Sequence, residues 1–550
     1  MEYSINYNLI FYFLLFSLSF SQENQIIIDG KFQDWEGVEF IEDNINDNGF
    51  AVDFTSLSIT NDNRYLYIKF TTTEQIDLMD SGSNGESMYN TVIYIDTDNN
   101  NKTGYVPNYN SNIGSELGIF LNQRYVWYNT PNPNVQISLY DIGLFSAPTV
   151  TSNEFEIAID LEAQYGGENL FPNQEIKIQL KDFISDDAIP NINSEIIYNI
   201  NSNNLNYTTL NTEKEKEDLI RLSAYNVLYN GLDDNERLEQ LKNIIKSVNA
   251  DVYAFSECYE TSSETVKNIL DEILPISNNQ GWYVIKKEDD DLITASKFPI
   301  IQDWPNESYG IKKMHPCLID LPDSLFTKDL LVINAHMSCC DNDNDRQEQA
   351  DDFVNFILDA KSTGGIIDLA NETPFVLCGD LNLVGFSQQL QTLTSGEIID
   401  TEAFGIGGGM NWSNNDLRDE ICMHVETPFS YTWRDITPSP GSYSYGRLDY
   451  IIFSDDVMSS QKSFTIDTKF ISQKKLNEMN LDVNDSFGSD HLLTTIDFDI
   501  PKSLSQKEDK KIIKKLLRKL NIIGQQKKKN KGLLINIYND GTTEKKYKLQ

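Results

Sequence analysis

The stretch GSDHLLTTIDF, residues 488–498, places an acid and an imidazole directly before an apolar, β-branched run. Such a run is typical of a core strand, so Asp490 and His491 are predicted to lie where that strand begins. The chain has only four histidines among its 550 residues. A histidine beside a carboxylate at this position is therefore a candidate for chemistry.

Polar residues occupy the ends of other predicted strands in the same way. An apolar interior disfavours such groups, and the strand ends of one layered domain can converge on one cleft. The sequence therefore predicts a site of four carboxylates, two amides and two imidazoles. Its members are Asn226 after the LSAY run, Glu257 closing DVYAFSE, His336 closing LLVINAH, Asp380 and Asn382 in FVLCGDLN, Asp449 in GRLDYIIF, and Asp490 with His491.

This set of side chains suits the hydrolysis of a phosphoester with a divalent cation. Glu257 and Asp490 offer the hard oxygen ligands that Mg²⁺ or Mn²⁺ prefers. The amides of Asn226 and Asn382 can donate hydrogen bonds to phosphate oxygens. A histidine with an unperturbed pKa of about 6.5 can take a proton from an attacking water. We therefore predict a hydrolase in which His491 is the general base.

Strand-like and helix-like patterns alternate from 217 to 500, which favours an α/β layered domain. The segment NERLEQLKNIIKSVNA, for example, repeats its apolar residues at helical spacing on one face, with Leu238, Leu241, Ile244, Ile245 and Val248. Strand-like runs such as LLVINAHMS and FVLCGDLNL follow it.

Eight motifs of this region stand in the order found in the endonuclease/exonuclease/phosphatase superfamily, and the resemblance covers nearly all of residues 219–500. The motifs are RLSAYNVLY, AFSECYE, TASKFPI, VINAHMS, CGDLNL, SYTWRD, RLDYIIFS and GSDHLLTTI. The resemblance implies an α/β four-layer sandwich of two central β-sheets flanked by helices. It also implies metal-dependent cleavage of phosphoester bonds, since the superfamily contains deoxyribonucleases, abasic-site endonucleases, sphingomyelinases and inositol-polyphosphate phosphatases.

The resemblance also implies a role for each residue of the predicted site. Glu257 is similar to the metal ligand, with Asn226 nearby and Asp490 in support; Asp380 and Asn382 position the phosphate and the water; Asp449 orients His491, the base. His336 matches the histidine that the nuclease and sphingomyelinase branches place beside the leaving oxygen. The abasic-site branch lacks that histidine and is therefore disfavoured.

Residues 25–210 predict an all-β sandwich, because short alternating runs such as RYLYIKFTT and NTVIYIDT are separated by Asn- and Gly-rich turns. IDGKFQDWEGV, NDNRYLYIKF and YIDTDNNNKTGY resemble the family-nine-like carbohydrate-binding and DOMON-type sandwiches of secreted enzymes. The resemblance implies a binding module, with a glycan as the expected partner. Trp127, Tyr128 and Tyr105 either stack on sugar rings or belong to the core.

The loop DTDNNNKTG in this region offers oxygen ligands for Ca²⁺ at Asp96, Asp98 and Asn100, with a solvated hairpin turn as the alternative. It is not an EF-hand, because Asn101 and Pro107 take the places of the loop's glycine and of its last glutamate.

The two ends of the chain predict export. Residues 1–22 contain a short apolar run, typical of a signal peptide, and no other segment is apolar enough to cross a membrane. Residues 501–550 carry fifteen Lys or Arg against four acids, and KKIIKKLLRKL predicts a helix. GLLINIYNDGTTEKKYKLQ resembles the small β sorting tails of the type-nine secretion system. This implies the secretion machinery as a partner and a secreted or cell-surface protein.

The charge of the chain bears on the substrate. The net charge is −40, and acids outnumber bases about two to one between 220 and 500. Non-specific nucleic-acid binding depends on Lys and Arg, although metal ions can screen an acidic cleft. A secreted, nuclease-like phosphodiesterase acting on DNA or RNA is the first hypothesis. The alternatives are a lipid or inositol phosphoesterase similar to sphingomyelinases, and a carbohydrate-binding adhesin with a vestigial catalytic domain.

Six cysteines are present. Cys258 and Cys378 lie inside apolar runs and are predicted to be core thiols. An exported protein could form one or two disulfides, for which the vicinal Cys339–Cys340 pair is the expected region. No pair has C-x-x-C zinc spacing.

Overall fold

The computed structural model describes residues 25–47, 52–80, 82, 88–129, 134–202, 207–277, 280–288, 290–305, 312–365 and 367–502, together with the strands 516–521, 532–538 and 543–548. The predicted signal peptide at 1–22 lies outside the described residues. Among them, none of the helices combines the length and the apolar character that a membrane crossing requires.

The N-terminal part consists of two packed β-sheets and one small hairpin. A five-stranded sheet has the order β1-β2-β3-β9-β8, and a seven-stranded sheet has the order β13-β12-β4-β5-β6-β7 with β14 beside β12. The strands are β1 (Phe40–Glu42), β2 (Phe54–Asn61), β3 (Tyr65–Ile76), β4 (Thr91–Asp96), β5 (Leu117–Phe120), β6 (Tyr125–Tyr128), β7 (Val135–Ile137), β8 (Phe145–Ala147), β9 (Ser152–Asp160), β10 (Gln164–Tyr165), β11 (Glu168–Asn169), β12 (Glu175–Asp182), β13 (Ala188–Ile189) and β14 (Ile196–Asn199).

The two-residue alternation of these strands explains the sandwich. Ile68 and Phe155 of the first sheet share one buried cluster with Ile93, Leu117 and Ile178 of the second. Alternate side chains of a strand point to opposite faces, so one face of each sheet supplies this core. The architecture agrees with the all-β sandwich expected for this part of the chain.

The second part of the chain, which the sequence predicts to be catalytic and which is called the catalytic part here, contains two six-stranded sheets with helices on their outer faces. The sheet orders are β17-β18-β16-β15-β26-β25 and β19-β20-β21-β22-β24-β23. The elements are β15 (Ile220–Asn226), α1 (Leu238–Val248), β16 (Val252–Ser256), α2 (Ser263–Ile273), β17 (Tyr283–Lys286), β18 (Ile293–Ser296), β19 (Ile300–Asp303), β20 (Met314–Ile319), β21 (Leu330–His336), α3 (Asp343–Ala360), β22 (Phe375–Asp380), α4 (Gln388–Ser395), α5 (Thr401–Phe404), β23 (Arg418–Glu420), β24 (Asp449–Phe453), β25 (Ser459–Thr465), α6 (Gln473–Met479) and β26 (Thr494–Asp499).

Three buried clusters define four layers. One lies between the sheets and joins Leu222 of β15 to Val332 of β21 and Val376 of β22. A second packs α1 and α2 against the first sheet, and a third packs α3 against the second sheet. The predicted α/β layered architecture is confirmed, and the boundaries at 217 and 500 remain predictions.

Local sequence signals explain the helices. The apolar face predicted for α1 is the face that is buried, and Asn249 ends the helix in the left-handed conformation. Helix α2 begins after Ser262, whose hydroxyl accepts the backbone N–H of Thr265 at 3.0 Å.

The sandwich packs directly on the catalytic part through aromatic rings. Phe145 of β8 stacks on Phe429 with 3.8 Å between ring centroids and on Tyr445 with 4.3 Å. Backbone and hydroxyl contacts flank the rings, including the N–H of Ile28 donated to the carbonyl of Pro428 at 2.8 Å. The two parts therefore share one buried interface.

Two sequence-based expectations are wrong in the structure. Residues 516–520 were expected to be helical, yet β27 (Leu516–Asn521) pairs with β28 (Gly532–Tyr538), which pairs in turn with β29 (Thr543–Lys548). Pairing with a neighbouring strand overrides the helical pattern of a short basic segment. The sorting role of this sheet remains a prediction.

The one or two disulfides expected to use the region of Cys339 and Cys340 do not form, since all six cysteines are free thiols. Cys258 and Cys378 are buried, as expected for core thiols, and so are Cys317 and Cys422. Cys339 and Cys340 are exposed.

Candidate active site

The strand topology brings the predicted polar residues to one end of the two central sheets. Asn226, His336 and Asp380 are the last residues of β15, β21 and β22. Strand β24 runs antiparallel to β22, so its first residue, Asp449, lies opposite Asp380. Because β21 and β22 are parallel, His336 also lies beside Asp380. Polar side chains of both sheets therefore meet at this edge.

His491 forms a buried pair with Asp449. Its Nδ1 lies 2.8 Å from Asp449 Oδ2, and the imidazole is 4% exposed. The N–H of Asp449 donates to Thr432 Oγ1 at 2.9 Å, and Ser489 Oγ accepts the N–H of His491 at 3.1 Å. These contacts fix the orientation of the ring, and its second nitrogen, Nε2, does not contact Asp449.

Asp380 connects the two sheets. Its Oδ2 accepts a hydrogen bond from Asn226 Nδ2 at 3.0 Å and lies 3.5 Å from His491 Nε2 and 3.7 Å from His336 Nε2. Asn226 Nδ2 also donates to Glu257 Oε1 at 2.9 Å. One chain of contacts therefore runs from His491 through Asp380 and Asn226 to Glu257.

Glu257 is held by an unusual backbone. It follows β16 with φ of 58°, in the left-handed region, and Leu228, Tyr229 and Asn230 also have positive φ. The N–H of Tyr229 donates to Glu257 Oε2 at 2.7 Å, and the N–H of Asn230 donates to the Glu257 carbonyl at 2.7 Å. Non-glycine residues in this region are strained and concentrate at functional sites, so the surrounding contacts must hold this carboxylate in place.

His336 has a partner that the sequence analysis missed. Asp291, just before β18, places Oδ2 at 2.5 Å from His336 Nδ1, and the same atom accepts the N–H of Glu257 at 2.9 Å. Asp291 is 1% exposed. The acidic segment EDDD at 288–291, directly before the strand LITASKF, was the available signal.

The remaining predicted residues border this group. The N–H of Asn382 donates to Asp380 Oδ1 at 2.9 Å, and its Nδ2 donates to the Met337 carbonyl at 3.0 Å. Asp490 Oδ2 accepts a hydrogen bond from Trp433 Nε1 at 3.0 Å. Trp433 was part of a motif in the sequence, but no role was predicted for it.

The electrostatics of the site reflect an excess of buried carboxylates. Burial alone would lower the pKa of His491, yet Asp449 and Asp380 raise it to about 10. Burial, with the nearby charge of Asp449, raises the pKa of Asp380. Burial opposes the charged form of His336, and its contacts with Asp291 and Asp380 nevertheless raise the pKa of His336.

These observations fit a divalent cation. Glu257 and Asp490 provide carboxylate oxygens, which are hard donors suited to Mg²⁺ or Mn²⁺. Asn226, the third predicted ligand, turns its Nδ2 toward Glu257, while its amide oxygen accepts the N–H of Leu228 at 3.0 Å. A dication would also relieve the carboxylate repulsion that contributes to the raised pKa of Asp380.

Arginines near the site hold loops in place. Arg346 donates to the carbonyls of Ser338 and Cys340 at 2.9 and 2.8 Å and so fixes the segment after His336. Arg434 pairs with Asp467 at 2.9 Å, and its side chain is 2% exposed. Structural roles therefore account for both of these arginines.

Residues 197–491 match the model of the Endonuclease/Exonuclease/phosphatase family. The chain belongs to this family. As a family member it is a phosphoesterase hydrolase of a group that uses divalent metals. No curated protein matches the sequence.

Solved structures similar to this family member include humanized D. rerio TDP2 with 14 mutations, at 13% identity over 52% of this chain and 100% of that one (TM-score 0.33). The human Nocturnin catalytic domain with bound sulfate matches at 14% identity over 52% of this chain and 95% of that one (TM-score 0.31). ANGEL2, a 2',3'-cyclic phosphatase in complex with adenosine-2',3'-vanadate, matches at 15% identity over 52% of this chain and 97% of that one (TM-score 0.34).

Two further clusters of acidic side chains lie in the N-terminal sandwich. Among the described residues, carboxylate oxygens of Asp96, Asp98 and Glu116 lie within 4.8 Å of one another, as do those of Asp47, Asp53 and Asp187. Asn100, the third predicted Ca²⁺ ligand, donates its N–H to Asp96 Oδ1 at 3.0 Å. Glu116, which the sequence analysis did not name, takes its place in the group.

Proposed function

We propose that the protein is a secreted, divalent-metal-dependent phosphodiesterase of nuclease-like specificity. The observation that carries the proposal is the continuous set of contacts from Asp449 through His491, Asp380 and Asn226 to Glu257. It joins a histidine–carboxylate pair to a hard oxygen ligand at one edge of the two central sheets. General-base help is typically worth about 10²–10⁴ in rate.

The two histidines of the site would supply the proton acceptor and the proton donor that hydrolysis of a phosphoester requires. His491 Nε2 takes a proton from water, and the water oxygen forms a bond to phosphorus. The P–O ester bond breaks with its electron pair on the leaving oxygen, which His336 protonates. Asp449 and Asp291 orient the two imidazoles through their Nδ1 atoms.

Glu257 and Asp490 would hold Mg²⁺ or Mn²⁺, and Asn226 would join them with its amide turned so that the oxygen faces Glu257. When bound, the dication would neutralise carboxylate charge, lower the pKa of His491 so that it can act as a base, and polarise the phosphoester. Asn382, beside Asp380, would contact the phosphate.

A pair of exposed tyrosines supports a substrate with planar bases. Tyr229 and Tyr259 are 69% and 45% exposed, with 5.6 Å between ring centroids, and the N–H of Tyr229 holds Glu257. Base stacking on an aromatic side chain is worth about 1–3 kcal/mol and tolerates any base. This pair would hold a nucleotide beside the metal ligands despite the acidic charge of the protein.

The N-terminal sandwich is proposed as a binding module for a glycan, and Asp96, Asp98 and Glu116 as its Ca²⁺ site. The C-terminal sheet is proposed as a sorting tail of the type-nine secretion machinery. Export would place the mature protein outside the cell or on its surface.

The test is a substrate panel of plasmid DNA, RNA, sphingomyelin and bis-p-nitrophenyl phosphate on the full chain, with Mg²⁺ and with EDTA. We expect metal-dependent cleavage of DNA or RNA. Hydrolysis of sphingomyelin without nucleic acid would establish the lipid phosphoesterase alternative instead. Inactivity on all four substrates would favour the adhesin with a vestigial catalytic domain.

Variants of the tyrosine pair test the substrate class. Tyr229→Ala and Tyr259→Ala should each raise the KM for single-stranded DNA about tenfold or more, with little change in kcat. Tyr283→Ala removes a tyrosine that is 39% exposed on β17 and serves as the control. An unchanged KM in both Tyr229→Ala and Tyr259→Ala would contradict base stacking on this pair.

A further inference from the structure

The seven-stranded sheet of the sandwich has one face that the sandwich core does not explain. Ile93, Leu117, Ile119 and Val126 point into the core between the two sheets. By the two-residue alternation of strands, their neighbours in β4, β5 and β6 point to the opposite face. Four of those neighbours are aromatic, namely Tyr94, Phe120, Tyr125 and Trp127. Tyr94 is buried in a small second cluster with Val92 and Ile113, whereas Tyr125 and Trp127 are only half-buried. A solvent-facing sheet surface is normally polar, so the part of this aromatic face that the cluster leaves uncovered calls for an occupant.

A glycine leaves space in the middle of this face. Tyr94, Gly118 and Trp127 lie side by side in register across β4, β5 and β6. A Cβ at Gly118 would lie 3.5 Å from the rings of Phe120 and Tyr94 and 3.8 Å from the Cβ of Trp127, which is ordinary contact, and the backbone is outside the left-handed region. Neither strain nor crowding requires glycine here, so its effect is to open a gap between two rings.

The gap belongs to a cavity of about 580 Å³. Rings surround it, because Tyr105 and Phe183 also line it and are 42% and 41% exposed. The ring of Tyr105 is stacked with that of Tyr94 at 5.9 Å. A volume of this size with apolar walls and few polar groups is typical of a small-molecule site.

The polar groups of the cavity include an acceptor without a partner. Asn90 lines the cavity, and its Oδ1 is buried with no hydrogen-bond partner within the described part of the chain. Its backbone is fixed, since its N–H donates to Asp182 Oδ2 at 2.7 Å and its carbonyl accepts the N–H of Phe183 at 3.1 Å. Leaving a buried acceptor unpaired costs free energy, so a ligand hydroxyl or N–H is the expected partner.

Charge narrows the class of ligand. Among the described residues that line the cavity, none is Asp, Glu, Lys or Arg, so these residues offer no counter-charge to an anion or a cation. The nearby Lys181, whose Nζ lies 5.7 Å from the Phe183 ring centroid, is already paired with Asp186. A neutral ligand with flat C–H faces and hydroxyl donors satisfies both the rings and the free acceptor.

We propose that this cavity is a saccharide site, in which a neutral pyranose ring lies over Gly118 between Tyr94 and Trp127 and donates a hydroxyl to Asn90. The inference rests on the proposed role of the sandwich as a glycan-binding module and locates the site within it. Of the three aromatics named from the sequence, Trp127 and Tyr105 line the cavity, whereas Tyr128 packs against the sandwich core.

The test uses calorimetric titration of the full chain with neutral oligosaccharides of glucose, xylose, mannose and N-acetylglucosamine. We expect at least one of them to bind, and Trp127→Ala to weaken that binding at least tenfold. Gly118→Leu, which fills the gap, should abolish it. Tyr105→Ala should also weaken binding, and because it removes an exposed ring it should do so without disturbing the fold. Phe40→Ala, on the other sheet and 60% exposed, is the control that should bind like the wild type.

Hydrolysis of bis-p-nitrophenyl phosphate is measured on the same variants and should not change. If the wild type does not hydrolyse this substrate, only the catalytic proposal is contradicted, because sugar binding is measured independently by calorimetry. The saccharide site is overturned if no oligosaccharide binds at millimolar concentration. It is also overturned if the cavity variants bind as the wild type does, or if nucleosides compete for the cavity more strongly than sugars.

Discussion

At the scale of single residues, the proposed role of His491 as a general base depends on the carboxylates that contact its ring. Asp449 fixes its Nδ1, and Asp380 lies 3.5 Å from Nε2. His491→Ala should lower kcat by about 10²–10⁴, the range for a general base, and should leave the thermal midpoint close to that of the wild type. His315→Gln alters a histidine that pairs with Asp303, on β19, and serves as the control. A His491→Ala enzyme with full activity would remove His491 from its assigned role.

Asp291 should act on the reaction through His336. Because it raises the pKa of His336, Asp291→Asn should lower that pKa and weaken the imidazole as an acid. We expect kcat to fall about tenfold or more and the alkaline limb of the pH–rate profile to move to lower pH. An NMR titration of His336 measures the pKa directly. A fall in kcat without a change in this titration would indicate a structural role only.

The buried His424 predicts a pH dependence of stability. Its Nε2 lies 2.8 Å from the Tyr431 carbonyl, and burial lowers the pKa of His424 to about 4, whereas in the unfolded chain it is about 6.5. Between these values the unfolded chain holds the extra proton, so the free energy of unfolding rises with pH by at most about 1.4 kcal/mol per unit. Above about pH 6.5 the contribution is constant.

Urea unfolding at pH 4 to 7 should therefore give a smaller rise for His424→Gln than for the wild type. Phe40→Ala changes no titratable group and should keep the wild-type slope. Equal slopes in His424→Gln and the wild type would mean that His424 does not titrate differently in the folded state.

At the scale of elements, β22 needs a glycine next to Asp380, for which a catalytic role is proposed. Gly379 has φ of +132°, and a Cβ there would overlap the carbonyl oxygen of Ala335 on β21. Gly379→Ala should force the two strands apart and displace Asp380. We expect a loss of about 1–3 kcal/mol in the free energy of unfolding together with a fall in kcat.

Gly408→Ala is the matched control, because a Cβ at Gly408 meets nothing within 4 Å. It should leave stability and kcat nearly unchanged. If Gly379→Ala behaves in the same way, the register of β21 and β22 does not determine the position of Asp380.

Elements differ in how far the sequence predicts them. The face of α1 and the polar ends of β15, β21 and β22 follow from periodicity and from the cost of burying polar groups, so these were predictable. Asp291 was not, because it lies in a loop whose path to His336 depends on the strand pairing of β16 and β18. The strand at 516–521 was missed because its pairing with β28 outweighs local helical preference.

At the scale of the whole molecule, the sandwich and the catalytic part meet through rings far apart in sequence. Phe145 contacts Phe429 and Tyr445 almost 300 residues later, and local patterns carry no information about such pairs. This interface therefore became apparent only from the structure. An isolated catalytic fragment would expose the rings of Phe429 and Tyr445, so experiments on the full chain are preferable.

Phe145→Ala tests the interface. The side chain is 2% exposed, and truncation of a buried phenylalanine costs about 3–5 kcal/mol. Because Phe145 belongs to the sandwich while its partners belong to the catalytic part, the two parts should lose their common unfolding transition and unfold in two steps. Urea unfolding followed by circular dichroism and by tryptophan fluorescence measures both effects. Phe40→Ala, an exposed ring on the same sheet, should cost less than about 0.5 kcal/mol, and a similar small cost for Phe145→Ala would show that the rings contribute little to joining the two parts.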